Sequence, residues 1–149
     1  ADLEGLEHVE IFRDPFVLAL PKGHALAKKR RVQQGDLEEQ EVLLLDDGHC
    51  LRAQALAVCA KSDAHEADLR ATSLATLVQM VARSDAVTLL PDLALSVENR
   101  GSQLEVRPFA KPAPFRTVAL VWRPHSPFGA AFRAATGYSL PQRRPGEAR

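Results

Sequence analysis

Short apolar runs typical of β-strands alternate along the chain with stretches in which apolar residues recur at helical spacing. Continuous apolar runs of the buried-strand type occur at Val17–Leu20 and Val42–Leu45. An amphipathic helix is predicted over Ser73–Arg83, with Ser73 as its N-cap. Strands that alternate with helices are typical of an α/β domain with a mostly parallel sheet, and this is the fold class that the pattern predicts.

The same pattern places each element along the chain. Strands are predicted at Val9–Phe12 and Phe16–Leu20, as one passage interrupted near Arg13–Pro15, and at Glu41–Leu45, Leu69–Thr72, Ala86–Leu90, Leu104–Phe109 and Thr117–Trp122. Helices are predicted at Gly35–Glu39 with Asp36 as cap, at Leu51–Ala60, Ser73–Arg83 and Pro91–Glu98, and from Ser126 to about Tyr138. Residues 61–68 are expected to form a loop, and the basic run Lys28–Arg31 a solvated face.

Composition and charge narrow the class of protein. The 149 residues are 46% hydrophobic, which is enough for one packed domain of ordinary size. Lys and Arg total 19, as do Asp and Glu, so no net charge draws this chain to DNA or anionic lipid. No apolar stretch approaches the ~20 residues of a membrane span, and the acidic start of the chain lacks a signal-peptide core. We therefore expect a soluble, cytoplasmic protein without a membrane partner.

The two cysteines lie in different chemical settings. Cys50 stands at the predicted start of a helix, next to His49 and two residues before Arg52. Cationic neighbours and a helix N-terminus both favour the thiolate, which is the reactive form of cysteine. Cys59 lies among apolar residues and is expected to be a buried thiol. Cys50 is therefore the candidate nucleophile.

Helix geometry separates the two sulfur atoms. Nine residues of continuous helix separate the Cα atoms of Cys50 and Cys59 by roughly 13.5 Å, whereas a disulfide needs about 7 Å or less. A bridge would require the helix to unwind, and a redox switch needs such a choice between two packings. Two cysteines without a redox role would give the same sequence, so that alternative stays open. A zinc site from His49, Cys50, Cys59 and His65 matches no common ligand spacing, and we expect no metal.

With these residues in view, the sequence resembles the peroxide-sensing members of the LysR-type transcription regulators. The most specific segment runs from Leu45 to Ala55 and contains Gly-His-Cys-Leu-Arg, with Cys59 following. The segments Arg70–Leu77, Thr88–Pro91 and Leu120–Pro124 resemble LysR-type regulators in general. The resemblance extends from about His8 to Tyr138.

The resemblance implies a periplasmic-binding-protein-like fold of type 2, the LysR regulatory domain. This chain would supply mainly the second α/β subdomain, residues 14–116, which carries the cysteines. Residues 1–13 and the return strand and helix at 117–140 would belong to the first subdomain, and 141–149 would be a flexible tail. Two crossover strands, Phe12–Leu20 and Thr117–Trp122, would join the subdomains.

The resemblance also implies a function. Cys50 would be the peroxidatic cysteine, forming a sulfenic acid that Cys59 resolves to a disulfide. His49, Arg52 and Arg123 would lie in the peroxide pocket. Dimer contacts would come from the apolar stripe of one helix, with plain core as the alternative; its members are Leu74, Leu77, Val78 and Val81.

Partners follow from the same resemblance. They are hydrogen peroxide, a second copy in a homodimer or tetramer, and a thiol reductant such as glutaredoxin for reset. Promoter DNA and RNA polymerase would be reached only through the full-length activator. No cofactor is expected, and the chain is not expected to be an enzyme.

Two other functions are compatible with the sequence. One is a LysR-type domain that binds a small metabolite while its cysteines are incidental, with Thr72 and Ser73 at a helix N-terminus suited to an anionic ligand. The other is a thiol peroxidase that turns over with the same cysteine pair.

Overall fold

The structure, a computed structural model, describes residues 4–62 and 64–135. The chain divides into two compact units. The larger is Asp14–Arg116, and the smaller comprises the described residues of Ala1–Arg13 and Thr117–Arg149. The predicted flexible tail at 141–149 and the end of the last helix near Tyr138 lie outside the described residues.

Strands and helices alternate through most of the described chain. The strands are β1 (Glu7–Pro21), β2 (Glu41–Leu45), β3 (His65–Ala71), β4 (Thr88–Pro91), β5 (Leu104–Pro108) and β6 (Phe115–Trp122). The α-helices are α1 (Cys50–Cys59), α2 (Leu74–Val81), α3 (Leu95–Glu98) and α4 (Gly129–Ala135). Short 3-10 helices occupy Ala25–Lys28, Gln34–Leu37 and Asp92–Ala94.

The strands pair in both directions, so the prediction of a mostly parallel sheet is wrong. β1 lies between β4 and β5 and is antiparallel to both, and β6 also pairs with β1. β2 and β3 are parallel, and an isolated parallel bridge joins Val42 to Val87, just before β4. A continuous apolar run is typical of a parallel strand, but an antiparallel strand that is buried on both faces, as β1 is at residues 16–20, gives the same run.

β1 passes without a break through Arg13–Pro15, where the sequence predicted an interruption. Asp14 is buried there because its carboxylate accepts hydrogen bonds from the Leu93 backbone N–H at 3.0 Å and from Arg116 at 2.9 Å. Pro15 needs no hydrogen-bond partner because it has no N–H. The buried acid is thus compensated, and the strand continues.

The core of the larger unit is formed by the apolar runs that the sequence singled out. Leu18 and Leu20 of β1, Val42 of β2 and Leu90 of β4 have no exposed surface. α2 packs against β2 and β3, and α1 packs against β2. The described residues thus place α1, with a cysteine at each end, directly on the core.

Three local predictions need correction. β3 begins at His65, inside the predicted 61–68 loop. Pro91 ends β4 instead of opening a helix, and the chain continues as the 3-10 turn and then α3. The helix at 35–39 is a 3-10 turn in which Asp36 sits inside the first turn and accepts from the Gln33 N–H at 2.9 Å. The predicted solvated basic run is confirmed, since 28–31 are all exposed.

In the smaller unit, one carboxylate links a strand to a helix. Glu7 accepts hydrogen bonds at 2.7 Å from the indole N–H of Trp122 and from Arg133 of α4. The guanidinium of Arg133 lies 5.5 Å from the centre of the Trp122 ring. Trp122 is the single tryptophan of the sequence, so its fluorescence reports on this unit.

Candidate redox site

The reactive end of the site is the start of α1. The chain leaves β2 through a turn at Asp47-Gly48, where Gly48 has a φ of +93°, a conformation that favours glycine. α1 then begins at Cys50, with His49 as the N-cap residue and no side-chain cap. Cys50 is a free thiol and is exposed. The sequence prediction that Cys50 begins a helix is confirmed.

The other end of α1 holds Cys59, which is free and buried. Burial, and secondarily the nearby Glu66 carboxylate, raises the pKa of the Cys59 thiol to about 11. The helix ends just beyond it, where the Ser62 hydroxyl donates to the Val58 and Cys59 carbonyls at 3.3 and 3.1 Å. Cys59 is therefore a protonated, unreactive thiol while α1 is intact.

α1 is continuous from one cysteine to the other, as the sequence predicted. The rise of an α-helix puts the two Cα atoms roughly 13.5 Å apart, about twice the reach of a disulfide. Leu51, Ala55 and Val58 form the buried face of α1. A Cys50–Cys59 disulfide therefore requires part of α1 to unwind and leave the core.

Arg52 anchors the first turn of α1. Its side chain is 8% exposed, and its guanidinium forms ion pairs with Asp47 at 2.9 Å and Glu66 at 2.8 Å. It also donates to the carbonyl of Leu45 at 3.2 Å. Hydrogen bonding to Glu66 raises the pKa of Arg52, and the same contact lowers the pKa of Glu66. Arg52 thus ties α1 to the end of β2 and to β3.

A cavity of about 10 Å³ lies beneath α1, which is the size of one water molecule. Arg52 lines it together with apolar side chains and Thr88, whose hydroxyl donates to the Leu43 carbonyl at 2.7 Å. The cavity is too small for a metabolite of ordinary size.

Gln54 is a candidate site residue that the sequence analysis missed. Its amide oxygen Oε1 is buried and has no hydrogen-bond partner among the described residues. Gln54 lies four residues after Cys50, and residues with this spacing share one face of a helix. Buried acceptors are normally satisfied, so an unpaired oxygen one turn from the thiol is a candidate acceptor for a bound peroxide. Sequence reasoning had only the i, i+4 spacing as a signal.

Comparison with known proteins places this arrangement in a family. The model of the LysR substrate binding domain matches residues 1–141. The chain belongs to this family. The probable hydrogen peroxide-inducible genes activator of Mycobacterium avium is 46% identical over 139 residues, which are 92% of this chain and 45% of that protein. The Escherichia coli K12 DNA-binding transcriptional dual regulator OxyR is 42% identical over 83% of this chain and 41% of its own length.

Solved structures of OxyR are similar to this chain in sequence and in fold. The reduced form of the OxyR regulatory domain from Pseudomonas aeruginosa is 32% identical with a TM-score of 0.76, covering 92% of this chain and 65% of that one. A structure of the oxidized form of OxyR is 39% identical with a TM-score of 0.74, covering 91% of this chain and 64% of that one. The predicted LysR regulatory fold of the periplasmic-binding-protein-like type 2 is confirmed. The chain spans less than half the length of the two relatives described above.

Within this LysR-family chain, the remaining predicted site residues fall in different places. His49 is exposed beside Cys50. Arg123 is exposed and belongs to the smaller unit. Its place in a peroxide pocket stays a prediction.

The helix predicted to supply dimer contacts is α2. Leu77, Val78 and Val81 are buried in the core of their own unit, with Leu74 partly buried against it. Their burial fits the plain-core alternative, and the dimer role stays a prediction. The Ser73 cap is confirmed: its hydroxyl accepts from the Thr76 N–H at 3.1 Å.

Across residues 4–62 and 64–135, no three His, Cys, Asp or Glu side chains come together in a group that could hold a metal ion. None of the helices in that part of the chain is long and apolar enough to cross a membrane.

Proposed function

We propose that this chain is the hydrogen peroxide-sensing regulatory domain of a LysR-type transcription regulator. The observation that carries the proposal is α1 itself: an exposed Cys50 and a buried Cys59 stand at opposite ends of one helix. The relatives named as peroxide-inducible activators, and the solved reduced and oxidized forms of OxyR, support the same function.

The chemistry proceeds in two steps. The Cys50 thiolate attacks one oxygen of hydrogen peroxide and the O–O bond breaks, which gives a sulfenic acid and a hydroxide that is protonated to water. The Cys59 sulfur then attacks the Cys50 sulfur, an S–S bond forms, the S–OH bond breaks, and a second water leaves. Peroxide is reduced to two waters while the two thiols together lose two electrons. A thiol reductant such as glutaredoxin would return the pair to the reduced state.

The chain's own residues divide the work between the two steps. Cys50, exposed at the start of α1, supplies the sulfur that attacks peroxide, and Gln54 offers a hydrogen-bond acceptor one turn away. We assign His49, Arg52 and Arg123 to the peroxide pocket as well. Arg52 controls the second step, because α1 cannot unwind while its guanidinium is held by Asp47 and Glu66.

The larger assembly follows from the family. We assign residues 14–116 to the second regulatory subdomain, and 1–13 with 117–140 to part of the first. The regulator would act in the cytoplasm as a homodimer or tetramer that activates transcription. It would contact promoter DNA and RNA polymerase through parts of the full-length protein. We assign the dimer contacts to α2, the helix that carries Leu74, Leu77, Val78 and Val81.

Thiol counting and disulfide mapping by mass spectrometry test the function. The reduced chain, Cys50→Ser and Cys59→Ser are exposed to a small excess of hydrogen peroxide. We expect a Cys50–Cys59 bridge in the unaltered chain and a trappable sulfenic acid at Cys50 in Cys59→Ser. Two thiols that stay reduced yet alkylate normally would refute the proposal and favour metabolite binding as the function. Many peroxide molecules consumed per chain with added thioredoxin-type reductant would point to a peroxidase.

Gln54→Leu tests the role of the unpaired amide. Removing one hydrogen bond to bound peroxide, about 1 kcal/mol, should slow sulfenic acid formation about fivefold. The free energy of unfolding should not fall, because the amide oxygen has no partner to lose among the described residues. Gln103→Leu, an exposed site whose side chain pairs with Gln79, is the control and should leave the rate unchanged. An unchanged rate in Gln54→Leu would remove the residue from the pocket.

A further inference from the structure

Four charged side chains form a closed ring beside the first turn of α1. Asp47 binds Arg52 at 2.9 Å and Arg70 at 2.8 Å. Glu66 binds Arg52 at 2.8 Å and Arg70 at 3.0 Å. Each carboxylate is thus shared by two guanidinium groups, and each guanidinium by two carboxylates. We call these four residues the charge ring.

A bulge in β3 makes the charge ring possible. β2 and β3 pair in register at Val42 with Glu66, and again at Leu44 with Arg70. Two steps along β2 therefore match four steps along β3. In a regular strand four residues span roughly 13 Å, whereas the two residues of β2 that they match span ~7 Å. The bulge brings Glu66 and Arg70 within reach of each other, and bulges commonly re-aim side chains near functional sites.

The charge ring joins three parts of the fold. Asp47 lies in the turn after β2, Arg52 in the first turn of α1, and Glu66 and Arg70 in β3. Exposure increases around the ring: the side chains of Arg52, Glu66, Arg70 and Asp47 are 8%, 29%, 38% and 78% exposed. Arg70 thus closes the ring from the solvent side and fixes the two carboxylates that Arg52 needs.

Unwinding of the first turn of α1 must break the charge ring. Arg52 lies two residues after Cys50, so moving Cys50 toward Cys59 displaces the Arg52 backbone from its place between Asp47 and Glu66. The ring's net charge is zero, and the two contacts of Arg52 exist only while the first turn is in place. It therefore favours intact α1 over the unwound state that the disulfide needs.

We infer that Glu66 and Arg70 are positioning residues for the second oxidation step: through the charge ring they hold α1 wound and slow attack by Cys59 on the Cys50 sulfenic acid. This inference rests on the proposed function. It separates the two steps, since Glu66 and Arg70 act on helix opening and have no part in peroxide reduction at Cys50. In the second step the S–OH bond breaks, the S–S bond forms, and water leaves, so no added reactant is needed.

Rapid-quench kinetics at saturating peroxide test the inference. Sulfenic acid formation is then fast, and the rate of disulfide formation reaches a plateau that reports only the second step. Arg70→Gln should raise this plateau about two- to fivefold, as expected for loss of exposed ion pairs. The rate of sulfenic acid formation, trapped in a Cys59→Ser background, should stay unchanged. Arg70→Lys, which keeps the positive charge, should return the plateau rate of disulfide formation part of the way to that of the unaltered chain.

The salt dependence of the plateau rate distinguishes an electrostatic role of the charge ring from a packing role. Exposed ion pairs are screened as ionic strength rises, so the plateau of the unaltered chain should increase with added NaCl, and that of Arg70→Gln should increase less. Asp47→Asn opens the ring at its other exposed corner. In the double variant Arg70→Gln with Asp47→Asn, the plateau rate of disulfide formation should be no higher than in the faster single variant, because substitutions within one network are not additive.

Arg100→Met is the matched control. Arg100 is an exposed arginine of the same unit whose guanidinium donates to the Ser96 carbonyl, away from α1. Its plateau should equal that of the unaltered chain. Equal plateaus for Arg70→Gln and Asp47→Asn at all salt concentrations, with sulfenic acid still forming at Cys50, would overturn the inference alone. Absence of sulfenic acid in every variant would instead overturn the proposed function.

Discussion

Truncation of one valine on α1 measures whether helix opening controls the switch. Val58 lies next to Cys59 on the buried face of α1 and is 7% exposed. Val58→Ala removes two methyl groups, which costs about 1.6 kcal/mol at ~0.8 kcal/mol for each buried carbon, and about 2.5 kcal/mol if the cavity does not collapse. This loss falls on intact α1 and is absent once the helix has unwound.

The expected effect on oxidation follows from that figure. If α1 opens and closes rapidly before Cys59 attacks, the plateau rate of disulfide formation rises with the open population. A loss of about 1.4 kcal/mol corresponds to a tenfold change, so Val58→Ala should raise the plateau at saturating peroxide at least about tenfold. Chemical denaturation of the reduced chain supplies the stability change for comparison.

Val81→Ala provides the matched control. Val81 is a fully buried valine of the same unit, but it lies on α2, which packs against β2 and β3. The substitution should reduce the free energy of unfolding by as much as Val58→Ala while leaving the plateau unchanged. Equal acceleration in both variants would show that α1 does not open on its own, and no acceleration in Val58→Ala would refute opening as the slow step.

Three further outcomes are expected. Burial raises the pKa of Cys59 to about 11, so folding favours its protonated form. The free energy of unfolding, undiminished below pH ~8.5, should therefore fall by on the order of 2 kcal/mol as the pH rises to 11. Chemical denaturation of Cys59→Ala should show no such fall. Ser73→Ala removes the hydroxyl that accepts from the Thr76 N–H and should cost about 1 kcal/mol in thermal unfolding. Hydrogen bonding from Trp122 lowers the pKa of Glu7, so Trp122 fluorescence should change only at acid pH and should lose that titration in Glu7→Gln.

The elements that the sequence predicted well are those with strong local signals. α1 begins where the small polar residues Asp46–Gly48 give way to apolar helical spacing, and Ser73 caps α2 as its position suggested. The buried runs of β1 and β2 were equally clear. These features depend on neighbours within one or two turns, which a single sequence displays directly.

The missed features depend on contacts between distant residues. The start of β3 carries no strand signal because the side chains of His65, Glu66 and Asp68 are polar, and the register shift beside them hides any alternation. The charge ring joins residues 4 to 23 positions apart in a strand, a turn and a helix, so spacing gives no signal for it. The place of Arg52 in the peroxide pocket stays a prediction, and its spacing gave no signal that two carboxylates hold its guanidinium.

The stability of α1 also decides the fate of the sulfenic acid at Cys50. An exposed sulfenic acid either forms the disulfide or reacts with a second peroxide to give the irreversible sulfinic acid. Closure depends on helix opening, whereas over-oxidation depends on peroxide concentration, so a helix held too firmly would lose the switch at high peroxide. Under a large excess of peroxide, Cys59→Ser should therefore accumulate sulfinic acid at Cys50, and Val58→Ala should accumulate less than the unaltered chain. Mass spectrometry of the Cys50 peptide measures this ratio, and equal sulfinic acid in Val58→Ala and the unaltered chain would show that closure does not compete with over-oxidation.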